Sequence, residues 1–357
     1  MSTPISDYYY DLPVEFIAQE PVEPRDQSKL LVLDRANGII KHQHFFEIGQ
    51  FLRDDDLLVF NDTKVFKARL VGEVAKVSGV AKVEVFLLRA HDRIWQAMIR
   101  PGRRVDIGDT IRFKENLFAQ VIEKKPNGIV KIEFNVEVDE VLRYCDQFGE
   151  VPVPPYVKQQ PDDLEMYQTV YARETGSVAA PTAGFHFTQR LLDELRDRGI
   201  QMEYITLHVG IGTFQPVKTE TLEEHQMHSE FVQIDQGTAD RINQAKAEGR
   251  RIVAVGTTTT RALEGVVMSG IDKRKLVNQN DRLTPVGPYI GDVNIFITPG
   301  YKFKIVDALI TNFHLPKSTL LALVSALASR EQILSAYEEA KLQGYRFYSF
   351  GDAMFII

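Results

Sequence analysis

The chain has 357 residues, 44% hydrophobic and 25% charged, with a formal net charge of −7. That length predicts two domains of a globular protein, and the acidic balance excludes one that coats nucleic acid through its overall field. A single cysteine, Cys145, excludes internal disulfides and cysteine-rich metal sites, and no basic leader or membrane-length apolar run is present, so a cytoplasmic location is expected.

After Tyr8-Tyr9-Tyr10, the runs Leu30 to Leu33 and Ile39 to His44 flank Ala36-Asn37-Gly38, a strong hairpin signal. A short helix through Phe51 and Leu52 is expected to lead into Leu57 to Phe60, a buried strand ending in Asn61-Asp62-Thr63-Lys64. Those polar residues read as a plain turn or as a ligand-facing strand end. From Val65 to about Glu150 the texture changes. Alternating runs such as Lys82 to Leu87 and Ile94 to Ile99 are broken by Gly72, Gly79, Gly102, Gly108 and Gly128. Many short strands of this kind predict a small antiparallel β-barrel or sandwich. Pro126-Asn127-Gly128 marks another turn, and Pro152, Pro154 and Pro155 form a stiff exit.

Charge is unevenly spread in this region: Phe60 to Phe113 carries eleven Lys and Arg against six Asp and Glu. Arg100-Pro101-Gly102-Arg103-Arg104 sets three guanidinium groups around a tight turn, with Lys64, Lys67 and Arg69 upstream. Guanidinium pairs phosphate oxygens bidentately, so a nucleic-acid backbone is a natural partner; a charged hairpin tip is the alternative.

Beyond the prolines the pattern becomes helix–strand alternation. Thr188 caps a helix with Leu191, Leu192 and Leu195 on its apolar face and Gly199 past its end. Strand Met202 to His208, helix Thr238 to Glu248, strand Arg251 to Val255, helix Ala262 to Val267, strand Val306 to Ile310 and helix Ser318 to Ala328 follow. Pro285 to Pro299 reads as loop with one strand. The fold class expected is α/β, a mainly parallel sheet covered by helices, with the β-barrel inserted. The α/β domain would comprise 1–60 and 152–357, and the barrel 61–151.

Chemistry concentrates in loops after the strands, where ligands of α/β folds bind. Gly176 to Thr188 is small, nearly uncharged and punctuated by Gly176, Pro181 and Gly184; it reads as a buried turn or as a ligand loop with His186 as proton carrier. His208 to Phe214 holds Gly210 and Gly212. Gly256-Thr257-Thr258-Thr259-Thr260-Arg261 opens a helix, where hydroxyls and free amides suit a carboxylate, phosphate or ribose. Asn312 and His314 follow the strand ending at Ile310. His186, His208 and His314 lack the company a metal site needs, and general acid–base work suits them better. Tyr345 to Asp352 alternates aromatic and polar residues, as an edge strand or as a stacking and carboxylate surface.

Together, Tyr10 to Pro13, Asn61 to Val65, Arg100 to Arg103, Gly176 to Thr188, His208 to Phe214, Gly256 to Arg261, Thr311 to Thr319 and Tyr345 to Ala353 resemble one family. It is the S-adenosylmethionine:tRNA ribosyltransferase-isomerase family of queuosine biosynthesis, and the likeness runs nearly the whole chain; Phe185 stands where leucine is more usual. The resemblance implies S-adenosylmethionine as ribosyl donor and co-substrate, 7-aminomethyl-7-deazaguanine at the tRNA wobble position as acceptor, and epoxyqueuosine-tRNA, adenine and methionine as products. It implies no metal and no further cofactor, and a monomer is favoured. His186, His314 and His208 are then expected to be catalytic, with Asp352 orienting. Gly176, Ser177, Ala180, Thr182, Gly184, Gly210, Gly212, Gly256, Thr257 to Thr260, Arg261 and Asn312 would hold S-adenosylmethionine. Lys64, Lys67, Arg69, Arg100, Arg103, Arg104 and Arg346 would meet the tRNA anticodon region. A methyltransferase would instead yield S-adenosylhomocysteine, and a non-catalytic RNA-binding module would consume no S-adenosylmethionine.

Overall fold

The computed structural model describes residues 3–77, 79–126, 128–152, 156–157, 164–210, 219–225, 227, 229–270 and 285–357. Strands β1 (Lys29–Asp34), β2 (Ile39–His44), β3 (Leu57–Asn61) and β4 (Thr63–Val65) come first. Then follow β5 (Arg69–Lys76), β6 (Gly79–His91), β7 (Ile94–Arg100), β8 (Thr110–Arg112), β9 (Phe118–Lys124), β10 (Ile129–Phe134) and helix α1 (Val138–Phe148). The remainder alternates: β11 (Glu174–Ser177), α2 (Gln189–Asp197), β12 (Gln201–His208), β13 (Glu230–Ile234), α3 (Gln236–Ala247), β14 (Ile252–Val255) and α4 (Thr257–Gly270). It ends with β15 (Tyr289–Val293), β16 (Ala308–Asn312), α5 (Thr319–Leu327), α6 (Arg330–Leu342) and β17 (Ala353–Ile356).

By contact the chain divides into two compact units. One comprises Met1–Thr63, Gln168–Arg173 and Pro181–Ile357; the other comprises Lys64–Tyr167 and Glu174–Ala180. The first unit holds a nine-stranded sheet in the order β15-β13-β12-β3-β14-β16-β17-β1-β2. Its centre, β12 to β16, is parallel, while pairs toward both edges are antiparallel apart from β1 with β17. Central strands such as β3 and β14 are buried along their whole length, as strands covered on both faces must be. Local signals set the helices: the Thr188 hydroxyl accepts from Leu191 N–H at 3.2 Å, and the Ser318 hydroxyl does the same for Leu321. Leu191, Leu192 and Leu195 of α2 then pack with Phe45, Phe60, Phe187, Val253 and Ile310 in a core where each large side chain contributes roughly 2–3 kcal/mol of burial.

The second unit is a closed barrel, β10-β7-β6-β5-β8-β9. Alternation decides which residues fill it: in β7, Trp95, Ala97 and Ile99 are buried while their neighbours are half-buried or exposed. Two local expectations are corrected. The segment near Phe51 is a 3₁₀ turn at Phe45–Gln50, held by a capping box between His44 and Glu47. Tyr345 to Asp352 is not a strand: the chain turns there, with Tyr348 at φ 74°, and the strand is Ala353–Ile356.

Candidate active site

Because β12, β3, β14 and β16 run parallel, His208, Asn61, Val255 and Asn312 finish at one edge of the sheet. Strands β17 and β1 run against β16, so their first residues, Ala353 and Lys29, lie at that same edge. This is the edge where α/β folds bind ligands.

The 3₁₀ turn Thr182–His186 sits on it. A Cβ at Gly184 would collide with the Tyr171 hydroxyl and Thr169, so only glycine allows this packing. Gly256, at φ +95°, faces Ala183 at 3.7 Å from its Cβ position. The Thr182 hydroxyl donates to Asn312 Oδ1 at 3.1 Å, which turns the Asn312 amide so that Nδ2 donates to His186 Nε2 at 3.1 Å. The ring proton therefore resides on Nδ1, where it donates to the Ser28 hydroxyl at 2.7 Å. The Phe45 ring lies 5.0 Å from the imidazole. Burial, then the nearby charges of Arg346 and Arg25, pull the His186 pKa from 6.5 down to about 3, so it is neutral at physiological pH. Ser28 gives no motif signal; only the fold joins it to His186, 158 residues away.

His314 follows β16 but faces inward. Tyr337 lies 3.2 Å from its Nδ1, Thr311 lies 3.3 Å from its Nε2, and its backbone carbonyl accepts from Tyr10. Burial alone lowers its pKa to about 3. His208, at the end of β12, has Nδ1 2.8 Å from the Thr63 hydroxyl and stacks on Phe231 at 5.6 Å. Asp352, 2% exposed, accepts the backbone N–H of Lys29 at 2.9 Å and of Arg346 at 2.7 Å. It thereby ties the residue after Ser28 to the 346–352 turn.

The threonine run is divided in use. Thr259 and Thr260 donate back to the Val255 and Gly256 carbonyls at 2.7 and 3.2 Å, so the expected four-hydroxyl cradle is halved by intrahelical bonds. The Thr258 hydroxyl is buried without a partner among the described residues. Arg261, 4% exposed, reaches Glu230 with Nη1 at 2.8 Å, yet its Nε and Nη2 are buried with no acceptor among the described residues. Each orphaned donor costs on the order of 1–3 kcal/mol, which a ligand oxygen would recover. Gly210 is described at the end of β12, whereas Gly212 lies outside the described residues.

A narrow cleft of about 10 Å³ opens beside His186, lined by Pro21, Val22, Arg25, Ser28, Phe185 and Phe350 among others. Arg25 lies 5.1 Å over the Phe185 ring, which stacks on Phe350 at 5.9 Å and keeps this wall apolar. Arg346 donates to the Glu20 carbonyl at 3.1 Å and stands 3.7 Å from Asp352.

Gly176, Ser177 and Ala180 belong to the barrel unit, where the Ser177 hydroxyl donates to the Ala179 carbonyl at 2.6 Å. In that unit Arg100, Arg103 and Arg104 are exposed at the end of β7 and the following 3₁₀ turn, Gly102–Arg104. Arg104 donates to the Lys82 carbonyl at 3.4 Å, and Lys67 to the Asp146 carbonyl at 2.9 Å. Arg69 stands 3.7 Å from Glu84 and 3.9 Å from Glu150, and Lys64 is half-buried. Among the described residues no cluster of three His, Cys, Asp or Glu is placed to hold a metal, and no helix is long and apolar enough to cross a membrane.

A parallel-centred sheet with polar loops gathered at its strand ends, in a chain that also carries a small barrel, defines an enzyme of the α/β class, and the comparisons with known proteins agree. Residues 5–356 match the family described as queuosine biosynthesis protein, and the chain belongs to that family. It is 51% identical over 356 residues to S-adenosylmethionine:tRNA ribosyltransferase-isomerase of Acetivibrio thermocellus, covering 99% of both chains. It is 49% identical over 357 residues to the enzyme of the same name from Desulfitobacterium hafniense, again covering 99% of both. A crystal structure of S-adenosylmethionine tRNA ribosyltransferase from Thermotoga maritima is similar with a TM-score of 0.54 and 36% identity, covering 99% of this chain and 100% of that one.

Proposed function

We propose that the protein transfers and isomerises the ribosyl group of S-adenosylmethionine onto 7-aminomethyl-7-deazaguanine at the tRNA wobble position, releasing adenine and methionine and leaving epoxyqueuosine. Family membership supports the reaction class. The observation that carries the site is the unpaired Arg261 Nε and Nη2 beside the unpaired Thr258 hydroxyl, at the strand edge that also holds Ser28, His186 and Asn312. Buried donors without acceptors suit the carboxylate or ribose oxygens of S-adenosylmethionine, with Gly256 and Thr257 shaping the approach.

In this reading the sulfonium acidifies the adjacent ribose C5, a base removes that proton, adenine departs protonated, the acceptor's amine bonds to the ribosyl carbon skeleton and gives up a proton, the new carbocycle forms, and epoxide closure expels methionine. His186 is the base. Its low pKa keeps it unprotonated, and a bound ligand that displaces the Asn312 amide frees the lone pair on Nε2 for the transfer. Ser28 and Asn312 position it. His208 stands at the same edge as a candidate acid, whereas His314, engaged on both ring nitrogens, better suits holding the 312–314 loop in place. Asp352 acts through the backbone. Arg100, Arg103, Arg104, Lys64 and Lys67 meet tRNA phosphates, with Arg346 at the cleft. No metal or second cofactor takes part in this scheme, and a cytoplasmic setting fits it.

The test is to incubate the protein with S-adenosylmethionine and tRNA carrying the aminomethyl base, then measure adenine and methionine. Adenine release that falls at least 100-fold in His186→Ala is expected. S-adenosylhomocysteine in place of adenine would refute the proposal.

A further inference from the structure

The opposite edge of the same sheet carries a second polar cleft that the reaction does not use. It has a volume of about 330 Å³ and is lined by Arg35, Arg53, Lys246, Arg250, Arg251 and Asp307, with Gly249 and Ile357. Its position follows from topology. Ile252 and Ala308 begin β14 and β16, and Arg35 follows the last residue of β1, so these groups lie where the parallel strands start.

Five cations here face too few carboxylates. Arg251 is held by the buried Asp56 at 2.9 and 2.6 Å, and Lys246 by Asp307 at 3.0 and 3.1 Å. Arg250 spends its donors on the Asp55 carbonyl and Gln201, with Glu248 at 3.5 Å. Arg35 and Arg53 have no ion-pair partner among the described residues, and Arg35 Nη1 is buried without any acceptor. Burial and the neighbouring Arg251 both disfavour the Arg35 charge, only partly offset by Asp307 and Asp34. Two guanidinium groups at one cleft therefore lack an ion-pair partner among the described residues, one of them half-buried by the fold.

We propose that this cleft is a phosphate-binding site, with Arg35 and Arg53 as its principal ligands and Arg250 and Arg251 completing the rim. Two guanidinium groups lining one opening match the oxygens and the double negative charge of a phosphate group better than a single carboxylate would. The group is either a free phosphate or pyrophosphate, or a phosphodiester of bound RNA. The site lies apart from the proposed catalytic residues and does not rest on their assignment.

Calorimetric titration of the full chain with pyrophosphate at low salt tests it. Sub-millimolar binding is expected, weakened tenfold or more in Arg35→Gln/Arg53→Gln, with adenine release by that variant unchanged. Arg53→Gln alone, at an exposed guanidinium, should still weaken binding several-fold and guards against misfolding of the double variant. No heat of binding, or wild-type affinity in both variants, overturns the proposal. The source is read from tRNA affinity against salt. A slope reduced by roughly one to two in the double variant assigns the site to RNA phosphates, and an unchanged slope with lost pyrophosphate binding assigns it to a free anion.

Discussion

Acid should weaken the α/β unit through two histidines before it affects the barrel. His186 and His314 both have pKa values lowered from 6.5 to about 3, in each case chiefly by burial. Between pH 6.5 and 3 the unfolded chain therefore binds protons that the folded chain refuses, so stability falls as pH drops through this window and is unaffected above it. At pH 5.0 each histidine costs about 1.36 × 1.5, or roughly 2 kcal/mol, and the pair about 4 kcal/mol. That is a large fraction of the roughly 5–15 kcal/mol typical of a domain. Urea unfolding at pH 7.5 and 5.0 measures it. Helix signal at 222 nm follows the α/β unit, which contains α2 to α6, and fluorescence of Trp95, the single tryptophan, follows the barrel. His314→Gln should be less stable at pH 7.5 yet lose about 2 kcal/mol less than wild type between the two pH values. If wild type and variant show the same acid loss to within about 0.5 kcal/mol, His314 does not remain neutral in the fold and the reasoning fails.

Four further outcomes are expected. Asn312→Ala removes the link from Thr182 to His186; stability should fall by about 1–3 kcal/mol and kcat for adenine release by tenfold or more, measured by denaturant titration and chromatography. Arg261→Lys can keep the Glu230 ion pair but not the two unpaired donors, so affinity for S-adenosylmethionine by equilibrium dialysis should drop at least tenfold with folding little changed, whereas Arg261→Met should destabilise by about 3–5 kcal/mol by breaking the buried ion pair with Glu230. Arg103→Gln with Arg104→Gln should flatten the salt dependence of tRNA binding by roughly one to two in log–log slope, and an unchanged slope would remove the turn from the RNA surface. Asp352→Asn leaves one acceptor for two amides; a loss of about 1–3 kcal/mol is expected, together with reduced kcat at unchanged KM because Ser28 is loosened.

What the sequence made legible was what short-range chemistry dictates. Asn37-Gly38 announces the β1–β2 hairpin, and Thr188 and Ser318 announce the helices they cap. Helix α1 is obscure because only Val141 and Cys145 of its eleven residues are buried, too thin a stripe to stand out among alternating strands. Helix α6 was not expected, although Ser329 caps it and Ile333, Ala336, Tyr337 and Ala340 repeat at helical spacing. The antiparallel edges were hidden for another reason: β17 is four apolar residues, and nothing local says that its partners are β16 and β1.

The site divides along the same line. Residue type and position after a strand single out His186, Asn312, Gly256 and Arg261, because loops at strand ends are where ligands bind. Their electrical state is not legible, since it depends on partners far away in sequence: Ser28 is 158 residues from His186, and Tyr337 is 23 from His314. Two histidines that look alike as titratable groups beside strand ends are both held neutral by burial, but His186 lines a narrow cleft, whereas both ring nitrogens of His314 face hydroxyls of the fold. The same distinction splits the threonine run, where Thr259 and Thr260 serve the helix and Thr258 and Arg261 keep unused hydrogen-bonding capacity. A buried polar atom left without a partner, more than residue identity, separates the groups poised for a ligand from those already spent on the fold.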